Sequence, residues 1–227
     1  QTLMADNTRI INPAVPNLPL GTAEYERRYQ DQFTNVLRLY FNQLRNALSE
    51  LLGPTGGKYI SFPHISASSN LDQYATGDDT PTKVGWTSSE TIEGFTLYPT
   101  GYASNDFAGV YKIDYGLQLA NNDNAIHFAT VWLRVNGDDV PLSGVKFTLP
   151  ARKSAGEPFE LLAFSSIVFP VNAQDRIELW WATDQAAVSG GASGVYIEAA
   201  PAATSPYARP SIPSAIGSIT FVSALPT

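Results

Sequence analysis

The residues that could do chemistry here are two carboxylate pairs, two histidines and a few tryptophans. Asp78-Asp79 and Asp138-Asp139 could act as paired carboxylates in glycoside cleavage or share a calcium ion. Both pairs stand in turn-like contexts, GDDTP and NGDD, where an aspartate bonds local backbone, so the turn role is expected for both. His64 and His127 are the only histidines, and no convergent partner for a general base stands out beside either. No GxSxG elbow or HExxH helix occurs. The stretch GPTGGK at Gly53 to Lys58 fails as a phosphate loop. Leu52 stands where its first glycine is required, Tyr59 replaces the Ser/Thr, and a helix rather than a strand precedes it. Trp86 and the Trp180-Trp181 pair could stack on a sugar ring, but alternation along a strand sends one of two adjacent tryptophans inward. These residues predict no enzyme, no metal and no cofactor.

Composition narrows the partners. The net charge is −7 and the isoelectric point about 4.7, which opposes nucleic-acid binding because phosphate neutralisation needs clustered Lys and Arg. The chain has no cysteine, hence no disulfide or thiolate metal site, which suits assembly in a reducing cytoplasm. No apolar run reaches the ~18 residues of a membrane span, and the Gln1 start lacks a signal pattern, so a soluble protein is expected. Charged residues are only 15% of the chain against 44% apolar. A surface so poor in charge points to burial against other chains.

Three segments must position whatever site exists. Residues 1–20 carry Pro13, Pro16 and Pro19 among isolated apolar side chains, Leu3, Ile10, Ile11, Val15, Leu18 and Leu20. Proline favours extended backbone, so this reads as an arm that needs a partner surface. Residues 21–53 read as one amphipathic helix, with Gly21 or Thr22 as N-cap, Glu24 and Glu26 in the first turn, and Gly53-Pro54 as the stop. Phe33, Leu37, Tyr40, Leu44, Ala47 and Leu51 follow a heptad seam, widened by Val36, Phe41, Leu48 and Leu52. Packing on its own domain and joining a multi-helix stalk both remain open for it. Residues 54–227 change to period two: Tyr111, Ile113, Tyr115, Leu117 and Leu119 alternate with Lys112, Asp114, Gly116 and Gln118, and shorter runs repeat this at Val145 to Leu149 and Ile177 to Trp181. From Ile126 to Val135 both faces are apolar, Phe128 and Trp132 on one, Ala129, Val131, Leu133 and Val135 on the other. Core or subunit interface is expected there. The fold class is therefore mainly β, an antiparallel jelly-roll-like sandwich preceded by an extended arm and one long helix.

The order of blocks adds a resemblance. GVYKIDYGLQL from Gly109, VWLRVNGDDVPLSGVKFTLP from Val131, DRIELWWATD from Asp175 and the proline-rich tail from Ala200 resemble a C1q/TNF-like jelly-roll module of tailed-phage structural proteins. The likeness covers residues ~84–224. It implies a homotrimer on the virion surface, assembled in the host cytoplasm, acting as a capsid decoration (cement) or head-fibre protein and partnered by itself and by the major capsid or another virion protein. It implies no catalytic residue. The alternative is a tail or fibre receptor-binding module recognising host glycans through Tyr98, Tyr102 and Tyr207; a polysaccharide hydrolase is the third reading.

Overall fold

The structure, a computed structural model, describes residues 14–20, 26–52, 62–190 and 192–225. The chain divides into two units, Gln1–Ser61 and Phe62–Thr227. The P-loop-like stretch Gly53 to Lys58, Gly21, Thr22 and Glu24, and Leu3, Ile10 and Ile11 of the arm all lie outside the described residues.

The first unit holds α1, Arg27–Leu52. The Gln30 N–H donates to the Glu26 carbonyl at 3.2 Å, so Glu26 sits at the cap rather than inside the helix, and the first turn carries no acidic residue. α1 thus runs from Arg27 to Leu52, and the cap signals at residues 21–24 and the stop at Gly53-Pro54 lie outside the described residues. Tyr29, Phe33, Val36, Leu37, Tyr40, Leu44 and Ala47 form a half-buried stripe, with the Tyr29 and Phe33 rings stacked at 6.1 Å.

Among the described residues the second unit contains fourteen strands. They are β1 (His64–Ser69), β2 (Gln73–Tyr74), β3 (Thr82–Lys83), β4 (Ser88–Glu93), β5 (Phe95–Tyr98), β6 (Tyr102–Asn105) and β7 (Gly109–Asn121), then β8 (His127–Val135), β9 (Asp138–Asp139), β10 (Val145–Leu149), β11 (Phe159–Val171), β12 (Arg176–Thr183), β13 (Val195–Ile197) and β14 (Ala215–Ser223). The main pairs nest. β1 pairs with β14, β6 with β12, β7 with β11 and β8 with β10, all antiparallel. First with last and so on inward is the jelly-roll order, and it gives two packed sheets. The first sheet runs β4-β1-β14-β7-β11, with β13 and β2 beside the far end of β7; the second runs β10-β8-β12-β6-β5, with β3 and β9 at its margins.

Period-two patterning explains the core between them. Tyr111, Ile113, Tyr115, Leu117 and Leu119 of β7 are buried against Val131 and Leu133 of β8 and Ile177, Leu179 and Trp181 of β12. Each such side chain contributes roughly 1.5–3 kcal/mol of burial. Aromatic edges lock one end, where the Phe95–Tyr111 and Tyr111–Phe221 rings meet at 5.5 Å in near-perpendicular pairs. The hairpin between β8 and β9 turns on Asn136 and Gly137 with φ of 56° and 94°, the two left-handed residues of a type I′ turn.

Candidate oligomer interface

In β11, alternate residues point into the core: Phe159, Leu161, Ala163, Ser165, Ile167, Phe169 and Val171. The residues between them should be polar, because the outer face of an antiparallel sheet normally meets water. Only Glu160 and Ser166 are; the other four are Leu162, Phe164, Val168 and Pro170, with Leu162 55%, Phe164 59% and Val168 56% exposed. Among the described residues β11 pairs only with β7, so these side chains stand on an edge strand of 13 residues. A long apolar edge is a liability unless something covers it.

The register extends the surface inward across the sheet. Phe164 lies opposite Gly116 of β7, and Gly116 opposite Ile216 of β14, which is 49% exposed. A Cβ at Gly116 would meet Ile216 at 3.2 Å and Leu162 at 3.5 Å, so glycine leaves a hollow between the apolar side chains. Ser66, Lys112, Asp114, Gly116, Phe164 and Ile216 are among the residues lining an open depression of about 360 Å³ there. A polar row crosses this face: Ser66, Ser218, Asp114 and Ser166 share one line of register. Lys112 Nζ reaches Asp114 Oδ2 at 3.0 Å, while Asp114 Oδ1 is buried with no hydrogen-bond partner. Apolar knobs, a hollow and an unsatisfied acceptor make a surface suited to another protein chain.

The residues singled out from sequence fall elsewhere. Val131 and Leu133 are core, 0% and 1% exposed, and Val135 is half-buried on the same side. Phe128 and Trp132 lie on the outer face of the second sheet, Phe128 37% exposed and Trp132 half-buried. On that face cations lie over the rings: Lys146 sits 4.0 Å from the Phe128 ring centroid and Arg134 4.1 Å from that of Trp180. Trp132 Nε1 and Arg134 Nε both donate to Asp139 Oδ1 at 2.6 Å. These bonds, that from Arg134 foremost, hold the Asp139 carboxyl below the usual range. Of the arm residues described, Val15 and Leu20 are 87% and 92% exposed and Leu18 42%. In α1, Phe33, Leu37, Tyr40, Leu44 and Ala47 share the half-buried stripe; the side chain of Leu51 lies outside the described residues. Sequence reasoning missed β11 altogether. FELLAFSSIVFPV is apolar at both parities, the signal that was applied to β8.

The chemical candidates disperse. Asp78 Oδ1 accepts the Ala186 N–H at 2.8 Å and Asp79 takes φ 52°, so this pair shapes a turn and ties it to a distant segment. His127 is held by Asp123 at 2.8 Å and Asp184 at 3.4 Å, and His64 Nδ1 lies 2.9 Å from the Phe62 carbonyl oxygen. Trp181 is fully buried and Trp180 faces out. Among the described residues no group of three His, Cys, Asp or Glu is placed to hold a metal ion, and no helix is long and apolar enough to cross a membrane.

No protein-family profile matches the chain, and no curated protein matches it. Solved structures similar to it include the globular domain of zebrafish complement 1qA protein, at 13% identity and TM-score 0.45 over 73% of this chain and 100% of that one. Eiger TNF from S. frugiperda is similar at 13% identity and TM-score 0.45, over 74% and 97% of the two chains. Murine APRIL at pH 5.0 is similar at 12% identity and TM-score 0.43, over 71% and 100%. These likenesses concern the fold alone.

Proposed function

We propose that the chain is a non-enzymatic structural module that assembles as a homotrimer through the outer face of its first sheet. Its arm and helix attach it to a phage shell as a capsid decoration or head-fibre protein. The observation that carries the self-association is the exposed apolar outer row of β11, Leu162, Phe164 and Val168. The knobs and the hollow over Gly116 are neighbours on one face, with Phe164 lining the hollow, and this is the face that further copies of the chain would cover. A head-to-tail contact through this face gives a ring where its rotation closes, and a three-membered ring is the assembly proposed. A standard interface of ~800 Å² per partner, at ~25 cal/mol per Å², is enough to hold such a ring, and symmetry multiplies weak shell contacts into firm attachment. The phage setting is supported by the sequence blocks and by the apolar, proline-punctuated arm.

The test has two arms. Light scattering on the purified full chain should give three times the chain mass, and Phe164→Asp should give one; a wild-type monomer at micromolar concentration would sink the trimer. Removing residues 1–20 should abolish binding to particles while leaving the trimer intact, and unchanged binding would sink the anchoring role.

A further inference from the structure

The outer face of the second sheet gathers aromatic rings and cations in a chain whose net charge is −7. Lys83, Arg134, Lys146 and Arg176 all project from it, as the pairing of Lys83 with Trp180 and of Arg176 with Ser104 places them. Each lies over an aromatic ring: Arg134 over Trp180 at 4.1 Å, Lys146 over Phe128 at 4.0 Å, and Arg176 and Lys83 over Tyr102 at 5.7 and 6.0 Å. Tyr98, 37% exposed, stacks on Tyr102 at 4.4 Å with an interplanar angle of 17°.

The carboxylates of this face are already engaged. Glu178 receives Lys83 Nζ at 3.2 Å and Trp180 Nε1 at 2.9 Å; Asp139 holds Arg134 and Trp132; Asp138 pairs with Val135 and so falls on the other face. Arg176 and Lys146 are exposed and, among the described residues, have no carboxylate partner. Lys146 lies in register with Thr130, and Thr130 with Ala182. Arg176 is six residues along the same strand from Ala182, about 20 Å at the rise of a strand.

We propose that this face binds an acidic polysaccharide. The free cations at Arg176 and Lys146 meet two of its carboxylates, and the Tyr98–Tyr102 stack and the outward edges of Trp132 and Trp180 meet the C–H faces of its rings. Aromatic rings suit pyranose faces, which are apolar on one side and ringed by hydroxyls. Two free cations about 20 Å apart match a polymer with one carboxylate every few ångströms or more, neutralised only in part. They do not match a duplex carrying a charge roughly every 1.7 Å, which needs a dense Lys/Arg stripe. This site is built within one chain and does not depend on the trimer.

The experiment titrates the full chain with oligosaccharides of two uronic-acid polymers, hyaluronan and alginate, following tryptophan fluorescence, with neutral dextran and a single-stranded oligonucleotide as controls. Saturable binding to either uronic-acid probe, weakened by salt, is expected. Arg176→Gln, Lys146→Gln and Tyr98→Ala should each weaken it by about tenfold, the first two without shifting the melting temperature because those side chains are exposed. The proposal is overturned by absence of saturable binding to both probes, by equal affinity for dextran, by tighter binding of the oligonucleotide, or by unchanged affinity in all three variants.

Discussion

At the scale of single residues, two carboxylates respond to pH in opposite senses. Asp123 is held below the usual carboxylate range first by its hydrogen bond from His127 and next by the Asn124 backbone N–H. A carboxylate with a lowered folded pKa contributes stability that is fully present above its unfolded value, ~3.9, and is lost as pH falls through the lower folded value. Asp123→Asn should therefore lower the melting temperature at pH 7, and the gap to wild type should close by pH 2; a constant gap across thermal melts would refute the assignment. Glu198 behaves the other way. Burial pushes its carboxyl up, assisted by the Glu160 and Asp72 charges, against the hydrogen bond that Tyr196 donates at 3.1 Å. An ionised Glu198 weakens the fold at neutral pH, so Glu198→Gln should raise the melting temperature at pH 7, with a shrinking benefit as pH drops through the raised value. A lower melting temperature for the variant at pH 7 would show that the Tyr196 bond outweighs the burial.

At the scale of elements, backbone geometry makes one loop unforgiving. Gly194 adopts φ +133°, and a Cβ there would lie 2.6 Å from the Ala187 nitrogen and 2.7 Å from the Ala186 carbonyl carbon. Both neighbours are main chain, so nothing flexible can move aside. Strain of ~1–3 kcal/mol adds to that collision, and Gly194→Ala should lower the melting temperature by roughly 5–10 °C; a melt within a degree of wild type would show that the loop between β12 and β13 repacks. Elements were legible wherever one face met water. β7 announced itself because Lys112, Asp114 and Gln118 punctuate Tyr111 to Leu119, and α1 because its stripe recurs at helical spacing. β11 has no such period, and only its apolar character at both parities, the signal that marks β8, could have found it. That same apolar character makes it the candidate interface. The polar pairs were legible only in part: turn chemistry located Asp78, whose partner Ala186 is distant in sequence, whereas Asp138 and Asp139 form β9 after the turn and Asp139 bonds the Trp132 and Arg134 side chains rather than local backbone.

At the scale of the whole molecule, the two candidate oligomerisation surfaces lie in different units, the heptad stripe in Gln1–Ser61 and the β11 face in Phe62–Thr227. This separation makes them experimentally distinguishable. The second unit has its own two-sheet core and the chain has no cysteine, so a chain of residues 62–227 should fold alone. If the β11 face suffices, that truncated chain remains trimeric, and its melting temperature rises with protein concentration, since association stabilises only the folded form. Leu162→Asp with Phe164→Asp then yields a monomer that melts at one temperature whatever the concentration. The substitutions are on exposed side chains, so any loss of stability in the variant reports lost association rather than a damaged core. A truncated chain that is monomeric before any substitution would move the burden of assembly to α1, where three or more helices sharing Phe33, Leu37, Tyr40 and Leu44 would then have to supply it.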